Sequence, residues 1–252
     1  MKKLLFLFLL SFFHTGFTFS QAVDDLVKQA DLFEKELKEE EAYQKFKEVI
    51  KIQPQHLYAL IRCSELASRI GRRQPTKEKQ MDFYKAAKIY AERALKINAK
   101  DSDANLAMSF AYARMSLLKS GKEKVAYVRE IKNYAERALT SNPNNFKALF
   151  VIGRWHYEVS NLSSVERAAV KVFFGGLQKN SLDSAVIYHE RVRGISPEFL
   201  LNYLELAKAY YKNKKEEKAI EILKYMLRLP NTAADDPTIK AEGKQLLVTW
   251  KA

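Results

Sequence analysis

The same hexapeptide, Tyr-Ala-Glu-Arg-Ala-Leu, stands twice in this chain, at Tyr90–Leu95 and at Tyr134–Leu139. The copies begin 44 residues apart, and each is followed three residues later by an asparagine. Identical six-residue strings rarely recur by chance, so the chain is built from repeats. Each unit of such an array has an apolar face that only a neighbouring unit can cover, and the fold must therefore be a stack of similar units.

A single spacing of small and apolar residues recurs five times and extends the repeat beyond the hexapeptides. It places such residues at relative positions 0, 4 and 7, with a helix-ending residue close behind. The five sets are Ala42, Phe46, Val49 and Pro54; Ala87, Ala91, Ala94 and Ala99; Ile131, Ala135, Ala138 and Pro143; Ala185, His189, Val192 and Pro197; and Ala219, Leu223, Met226 and Pro230. This spacing predicts one buried face of an α-helix.

These helices match the second helix of the tetratricopeptide repeat, which reads Ala-x3-Phe followed by Pro, after a first helix that reads Trp-x2-Leu-Gly-x2-Tyr. The best first helix contains Leu149, Ile152, Gly153 and His156. We therefore expect an all-α fold, a tetratricopeptide-like helical-repeat solenoid of about five helix pairs. It would form a single domain over residues 21–252, with a capping C-terminal helix within 235–252.

Successive second helices lie 45, 44, 54 and 34 residues apart, so only the last step equals the usual 34-residue period. The additional residues must lie inside the repeats, at 71–83, 117–128 and 161–181. The first two segments are expected to lengthen helices. The segment 161–181 predicts a short amphipathic helix that Gly175 and Gly176 break, with one apolar face formed by Val165, Ala168, Ala169, Val172 and Phe173.

Residues from about Tyr134 to Leu227 resemble a narrower family, the regulator of microtubule dynamics proteins. The motifs that carry the resemblance are Asn142–Pro143, the Gly-x-Trp-x-Tyr of Gly153, Trp155 and Tyr157, then Arg167, Ala168, Phe173–Phe174, Ser184–Ala185, Pro197 and Leu206 to Tyr210. The inserted segment is part of the likeness. The resemblance implies a helical-repeat scaffold with no assigned catalytic residues.

The N-terminus has the three parts of a secretory signal peptide. Lys2 and Lys3 precede an apolar run at 4–13, and small residues follow at Ser20 and Ala22. Ten helical residues span about 15 Å, half of a bilayer core, so a cleaved signal peptide over 1–20 is favoured over an uncleaved anchor. We expect an exported protein, periplasmic or extracellular, in a bacterial cell envelope.

The formal net charge of +13 favours an anionic partner, and the export signal argues against nucleic acid. First helices form the concave wall of such an array, and the wall positions are basic and aromatic, opposed only by Glu65, Asp103 and Glu158. These positions are Tyr58, Ile61, Arg69, Phe110, Arg114, Lys147, Phe150, Arg154, Tyr157, Lys208, Tyr211 and Lys212. They predict a non-catalytic adaptor that binds a protein or peptide of anionic character.

Three other interpretations of the inserted helix remain open. The inserted helix could form the wall of an apolar-ligand site, made by Val165, Ala169, Val172 and Phe173, so that the chain carries a lipid. Its apolar face could equally pack on its own repeat or touch a membrane surface.

The residues that usually carry chemistry favour packing. His156 and His189 stand at facing positions of one repeat, which predicts a structural pair, and Cys63 is expected in the core. No Gly-rich phosphate loop, nucleophile elbow or His-Glu-x-x-His pair is present in the sequence. We therefore expect no catalytic, metal or cofactor site.

Overall fold

The computed structural model describes residues 21–175 and 181–251, apart from the side chains at 169, 173, 174 and 251, and this part of the chain is helical and contains no strand. The predicted signal peptide at 1–20 and Gly176 lie outside the described residues. Helix α1 spans residues 21–35. The helices that follow are α2 (Glu39–Ile52), α3 (Leu57–Arg72), α4 (Lys77–Ile97), α5 (Ser102–Ser116), α6 (Gly121–Ser141), α7 (Phe146–Ser160), α8 (Ser164–Phe174), α9 (Leu182–Ile195), α10 (Leu200–Lys212), α11 (Glu216–Met226) and α12 (Asp236–Lys251).

The predicted repeat is confirmed. First helices are α1, α3, α5, α7 and α10, and their second helices are α2, α4, α6, α9 and α11. Two of the predicted insertions lengthen second helices, because α4 and α6 have 21 residues each whereas α2 and α9 have 14. The third insertion contains α8, and α12 is the predicted C-terminal cap.

The described chain forms two compact units. Helices α1 to α4 belong to the unit that ends at Ala99, and α5 to α12 belong to the unit that begins at Lys100. Within both units the template alanines are fully buried, for example Ala87 in α4 and Ala135 in α6. Small residues at these positions let paired helices approach closely. The single-domain boundary of 21–252 stays a prediction.

Side-chain caps begin many of the helices. The side chains of His56, Thr76, Asp101, Asn145 and Ser181 each accept a hydrogen bond from the backbone N–H three residues further on. Such a cap satisfies one of the four N–H groups that a helix start leaves without a partner. The starts of these helices are therefore stabilised by hydrogen bonds between residues close in sequence.

The arginine of the first hexapeptide forms a hydrogen bond from a second helix to the turn that ends the preceding repeat. Arg93 donates from Nη2 to the carbonyl oxygen of Pro54 at 2.9 Å. Arg191 stands at the corresponding position of α9 and donates to the carbonyl oxygen of Pro143 at 3.2 Å. Each guanidinium satisfies a carbonyl that the end of the previous helix pair would leave open. The hexapeptide thus belongs to the scaffold.

No helix in the described part of the chain has both the length and the apolar character that crossing a membrane requires.

Candidate partner-binding face

Three of the predicted groove residues lie on α3, in the unit that ends at Ala99. Ile61 is buried, so its side chain belongs to the core and the groove assignment is corrected. Tyr58 is 43% exposed and donates from its hydroxyl to Asp31 at 2.7 Å. Arg69 forms ion pairs with Glu34 and Glu39. Side chains of α1 and α2 therefore already bind the polar groups of Tyr58 and Arg69.

An ion-pair network joins α1 to α3. Arg62 donates from Nε to Glu34 at 2.8 Å, and its guanidinium also contacts Glu34 and Glu65 through further nitrogens. Glu34 accepts from Arg69 as well, so one carboxylate holds two guanidinium groups. The side chains of Arg62 and Glu34 are only 18% and 13% exposed, which reduces solvent screening of the pair. Glu34 is the centre of this network.

We expect Glu34→Ala to destabilise the unit that ends at Ala99 by about 3 kcal/mol, because removing one partner leaves a buried guanidinium short of an acceptor. Hydrogen exchange of the α1 and α3 amides measures this, since both tryptophans of the chain lie beyond residue 99. The control is Glu36→Ala, which removes an exposed pair with Lys38 and should leave the exchange of these amides nearly unchanged. Equal exchange in the two variants would contradict the role of Glu34.

Two aromatic residues of the predicted groove also pack inside the unit that begins at Lys100. Phe150 is buried, and its ring meets those of Phe199 at 5.1 Å and His189 at 5.5 Å in edge-to-face contacts. Phe110 is half-buried against the same apolar cluster. Phe150 is therefore corrected to a core residue. Arg114 and Lys147 are half-buried and have polar contacts of their own.

The remaining predicted residues meet where α7 packs beside α10. Arg154 of α7 lies 4.0 Å from the carboxylate of Glu205 of α10, and Lys208 pairs with the same carboxylate at 3.2 Å. Tyr157 packs half-buried against the apolar cluster under α10, and this burial raises the pKa of its hydroxyl. We call this surface the α7–α10 face, formed by Arg154, Tyr157, Glu205, Lys208 and Tyr211.

The C-terminal helix covers one side of the α7–α10 face. Trp250 stacks on Tyr211 with ring centroids 4.1 Å apart and an interplanar angle of 6°. Glu242 pairs with Lys208 at 2.7 Å. Burial lowers the pKa of Lys208, but the carboxylates of Glu205 and Glu242 outweigh it and raise this pKa above its ordinary value. Lys208 is thus a fixed cation, held between α10 and α12.

The acidic member of the α7–α10 face, Glu205, was not predicted from the sequence. Glu205 is only 4% exposed although it is ionisable, and it stands in an apolar run between Leu204 and Leu206. A glutamate within an apolar run could have indicated this pairing, because a carboxylate at a core-facing position requires a cationic partner. The face therefore combines Arg154 and Lys208 with Glu205 and is less basic than its predicted residues alone suggest.

Two of the side chains predicted to form the apolar-ligand wall on α8 face solvent instead. Val165 and Val172 are each 77% exposed and face solvent, whereas Val170 is buried. Side chains this exposed do not enclose a ligand, so these two positions are corrected. Ala169 and Phe173, the other predicted wall residues, lie outside the described side chains. Arg167 explains the orientation, because it donates to the carbonyls of Ser160 and Leu162 and so ties α8 to the end of α7.

The helix α8 has a capping box at its start and a glycine at its end. The Ser163 hydroxyl accepts from the Glu166 N–H, and the Glu166 carboxylate accepts from the Ser163 N–H. Gly175 ends the helix in the left-handed region, at φ 68°, which glycine adopts without a steric penalty. The predicted short helix before this glycine is confirmed.

The two predicted histidines have separate partners. The ring of His156 stacks on Tyr188 with an interplanar angle of 16°. His189 is fully buried, and its Nδ1 lies 2.8 Å from Oδ1 of Asn202, whose amide in turn donates to the His189 carbonyl at 2.9 Å. Burial lowers the pKa of both imidazoles. In the part of the chain that the structure describes, no group of three or more His, Cys, Asp or Glu is placed to hold a metal ion.

Cys63 is fully buried in α3, as its predicted core position requires. Burial raises the pKa of its thiol to about 12, so the side chain stays protonated at neutral pH. A thiol needs to be ionised and accessible to act as a nucleophile. Cys63 therefore packs the core.

The family model described as "Regulator of microtubule dynamics protein 1-3" matches residues 26–251. The protein named regulator of microtubule dynamics protein 1 from Pongo abelii is 26% identical over 90% of this chain and 73% of its own length. The Caenorhabditis elegans protein of that name is 28% identical over 50% of this chain and 56% of its own length. The match to the family model covers nearly all described helices.

Solved structures support the fold. A thermophilic TPR protein of Thermus thermophilus superposes with a TM-score of 0.67 at 12% identity, over 90% of this chain and 99% of that one. PilF of Pseudomonas aeruginosa superposes with a TM-score of 0.57 at 11% identity, over 92% of this chain and 90% of that one. At these identities the likeness concerns the helical-repeat architecture.

Proposed function

The chain belongs to the regulator of microtubule dynamics protein 1-3 family, and we propose that it is a non-catalytic, exported adaptor that binds a protein or peptide partner on the α7–α10 face. Helical-repeat folds of this kind commonly present such surfaces to partners. The curated relatives carry the name of regulators of microtubule dynamics, which is said of those proteins. The partner of this chain is argued from its own side chains.

The proposal rests on the side chains at the junction of α7 and α10. Arg154 keeps 44% of its side chain exposed, and Lys212 is exposed at the end of α10. Tyr157 and Tyr211 lie half-buried beside these cations. Aromatic rings supply contact area at low entropic cost, and arginine can hold a carboxylate with two parallel hydrogen bonds. This combination suits an acidic peptide segment.

Internal carboxylates already occupy the cations of this face. Arg154 lies 3.6 Å from Glu158 and 4.0 Å from Glu205, and Lys208 pairs with Glu205 and Glu242. Glu158 is 58% exposed, so a partner carboxylate can displace it at little cost. Buried Glu205 stays in place and orients both cations. The proposed partner therefore exchanges with exposed acids of the chain itself.

Charge reversal at the α7–α10 face is expected to weaken partner binding about tenfold or more. Wild-type protein and the Arg154→Glu, Lys208→Glu variant serve as parallel baits on an envelope fraction, and calorimetry with the purified partner gives both dissociation constants. Lys224→Glu makes the same kind of charge change on exposed α11 and is the control. Circular dichroism establishes that each variant is folded.

Equal affinity of wild-type protein and the reversed variant would refute the α7–α10 face as the binding site. A Glu158→Gln variant tests whether the partner carboxylate replaces that of Glu158 at Arg154. It removes an exposed competing carboxylate, and we expect it to tighten binding about twofold to fivefold. Weaker binding by this variant would mean that Glu158 contacts the partner itself.

A further inference from the structure

We propose that one edge of the unit that begins at Lys100, centred on α8, docks onto an anionic lipid surface. We call it the α8 edge, formed by Val165, Ala168 and Val172 with the surrounding basic residues Lys124, Arg167, Lys171, Lys214 and Lys215. This site shares no side chain with the α7–α10 face, so the two proposals stand or fall separately.

The apolar part is an exposed stripe on α8. Val165, Ala168 and Val172 stand at positions i, i+3 and i+7, which share one side of a helix. All three are exposed, and the two valines are 77% exposed. Val170 is the valine of α8 that faces the interior, so Val165, Ala168 and Val172 face outward. Lys171, next to this stripe, is also exposed. A stripe of this kind gains free energy when it is covered.

Contacts within the unit place the basic turns on the edge that carries α8. Arg167 bonds to carbonyls at the end of α7, so α8 begins beside that end. Asn213 donates to Asp183 at 2.8 Å, which brings the α10–α11 turn to the start of α9. Lys214 and Lys215 belong to this turn and are exposed.

The α5–α6 turn completes the edge. Trp155, in the second half of α7, donates from Nε1 to the carbonyl oxygen of Val128 in the first half of α6 at 3.1 Å, so the α5–α6 turn lies toward the end of α7 that also carries α8. The bonds from Ser163, and in addition the Lys124 ammonium, hold the pKa of the Glu166 carboxyl below its ordinary value. Lys124 itself is exposed at the start of α6. The turns α5–α6 and α10–α11 thus lie on the same side as α8.

The opposite edge of this unit differs in both charge and apolar exposure. There Asn145 donates to Ser102 and Asp103 at 2.9 and 3.0 Å, and the rings of Phe146 and Phe199 meet at 5.5 Å. Its turns mix the acids Asp101 and Glu198 with the single cations Lys100 and Arg228, and none of them has two adjacent lysines. The exposed valines and the lysine-rich turns therefore coincide on one edge only within this unit.

Charge complementarity selects the occupant. The flanking cations of the α8 edge repel a second copy of the same edge, and they attract a surface of negative headgroups. The apolar stripe is short, which suits shallow insertion at the headgroup boundary, where a helix lies in the plane of the interface. Binding should be reversible and should depend on salt.

Vesicle flotation tests the proposal. We use residues 21–252, which contain every described helix and omit the apolar run at 4–13. The probes are vesicles of phosphatidylcholine alone and of phosphatidylcholine with about a third phosphatidylglycerol. We expect binding to the anionic vesicles, at least about tenfold weaker binding to the neutral ones, and release as the salt concentration rises.

Matched variants locate the contact. Lys171→Glu and the double variant Val165→Ser, Val172→Ser should each weaken binding to anionic vesicles about fivefold or more. The controls are Lys224→Glu, an equal charge change near the end of α11, and Ile195→Ser, a partly exposed apolar residue at the opposite edge. The controls should change binding less than about twofold.

Three results would overturn the proposal: no binding to anionic vesicles, equal binding to neutral ones, or equal losses in the variants and their controls. Each substituted side chain is exposed, so loss of folding is a minor concern, and thermal melts check it. Absence of vesicle binding together with cross-linking of a protein to a photoreactive residue at position 165 would assign the edge to a protein partner instead. A failure of this kind leaves the α7–α10 face untouched.

Discussion

Removal of residues 235–252, and with them α12, is expected to turn a soluble protein into one that aggregates. Ile239 is buried, and Leu246, Leu247 and Trp250 pack against the apolar cluster of α10 and α11. Uncovering this cluster exposes several large side chains, each with a burial free energy of about 1.5–3 kcal/mol. An uncapped end of a repeat array is also a template for association. Light scattering after size exclusion measures the result.

A substitution within the complete chain tests the cap without deleting it. An added Cβ at Gly243 would lie 2.3 Å from Cε of Met226, and this side chain of α11 is fully buried and has little room to move aside. Gly243→Val should therefore lower the stability of the last repeat by about 1–3 kcal/mol. Val248→Ser changes an exposed residue of the same helix and should leave the melting temperature nearly unchanged. A soluble truncation with an unchanged melting temperature would refute the cap.

Acidification should destabilise the unit that begins at Lys100 through His189. The Asn202 amide nitrogen donates to the His189 carbonyl, so its oxygen faces Nδ1 and that nitrogen carries the proton. Nε2 is buried without a hydrogen-bond partner among the described residues and lies against Gly153. A second proton would place a charged N–H there with no acceptor, which is unfavourable.

The direction of the pH effect follows from the depressed pKa. Burial is the main cause, the Asn202 bond and the carboxylates of Glu205 and Glu190 oppose it, and Arg154 adds to it. Below the ordinary value of 6.5 the unfolded chain takes up a proton that the folded chain refuses. Stability is therefore constant above about pH 7 and falls below about pH 6.5 by up to 1.4 kcal/mol per pH unit for this group.

Denaturant unfolding followed by tryptophan fluorescence between about pH 5 and pH 7 measures this dependence. His189→Gln keeps a donor for Asn202 and cannot titrate, so its stability should depend less on pH even where it is lower at neutral pH. His156, whose pKa burial also lowers, supplies a second slope, and His156→Gln separates the two contributions. An unchanged slope in His189→Gln would contradict the assignment.

The sequence contained enough to predict the helices because helical periodicity is local. Ala87, Ala91 and Ala94 recur at helical spacing and are all fully buried, and Asn145 caps α7 where the template begins a first helix. These features depend on residues within a turn or two of each other. Predicting these helices therefore required no knowledge of contacts between residues distant in sequence.

The candidate site was predicted less well because it depends on which helix lies opposite each position. Ile61 and Phe150 occupy wall positions by spacing, yet neighbouring helices bury them. Glu205 and Glu34 neutralise basic residues from other helices, across distances in sequence that periodicity does not reach. For α8, the spacing gave an apolar face, but the bonds of Arg167 decide that Val170 faces inward.

The long second helices show how this architecture accommodates a change in chain length. Helices α4 and α6 exceed α2 by seven residues, which is close to two whole turns and about 10 Å along the axis. Added in that number, residues return the start of the helix to nearly the same angular position beneath the preceding turn. An addition of five would place the entry point on the far side of the helix. Family members of different length are therefore expected to differ here in steps of complete turns.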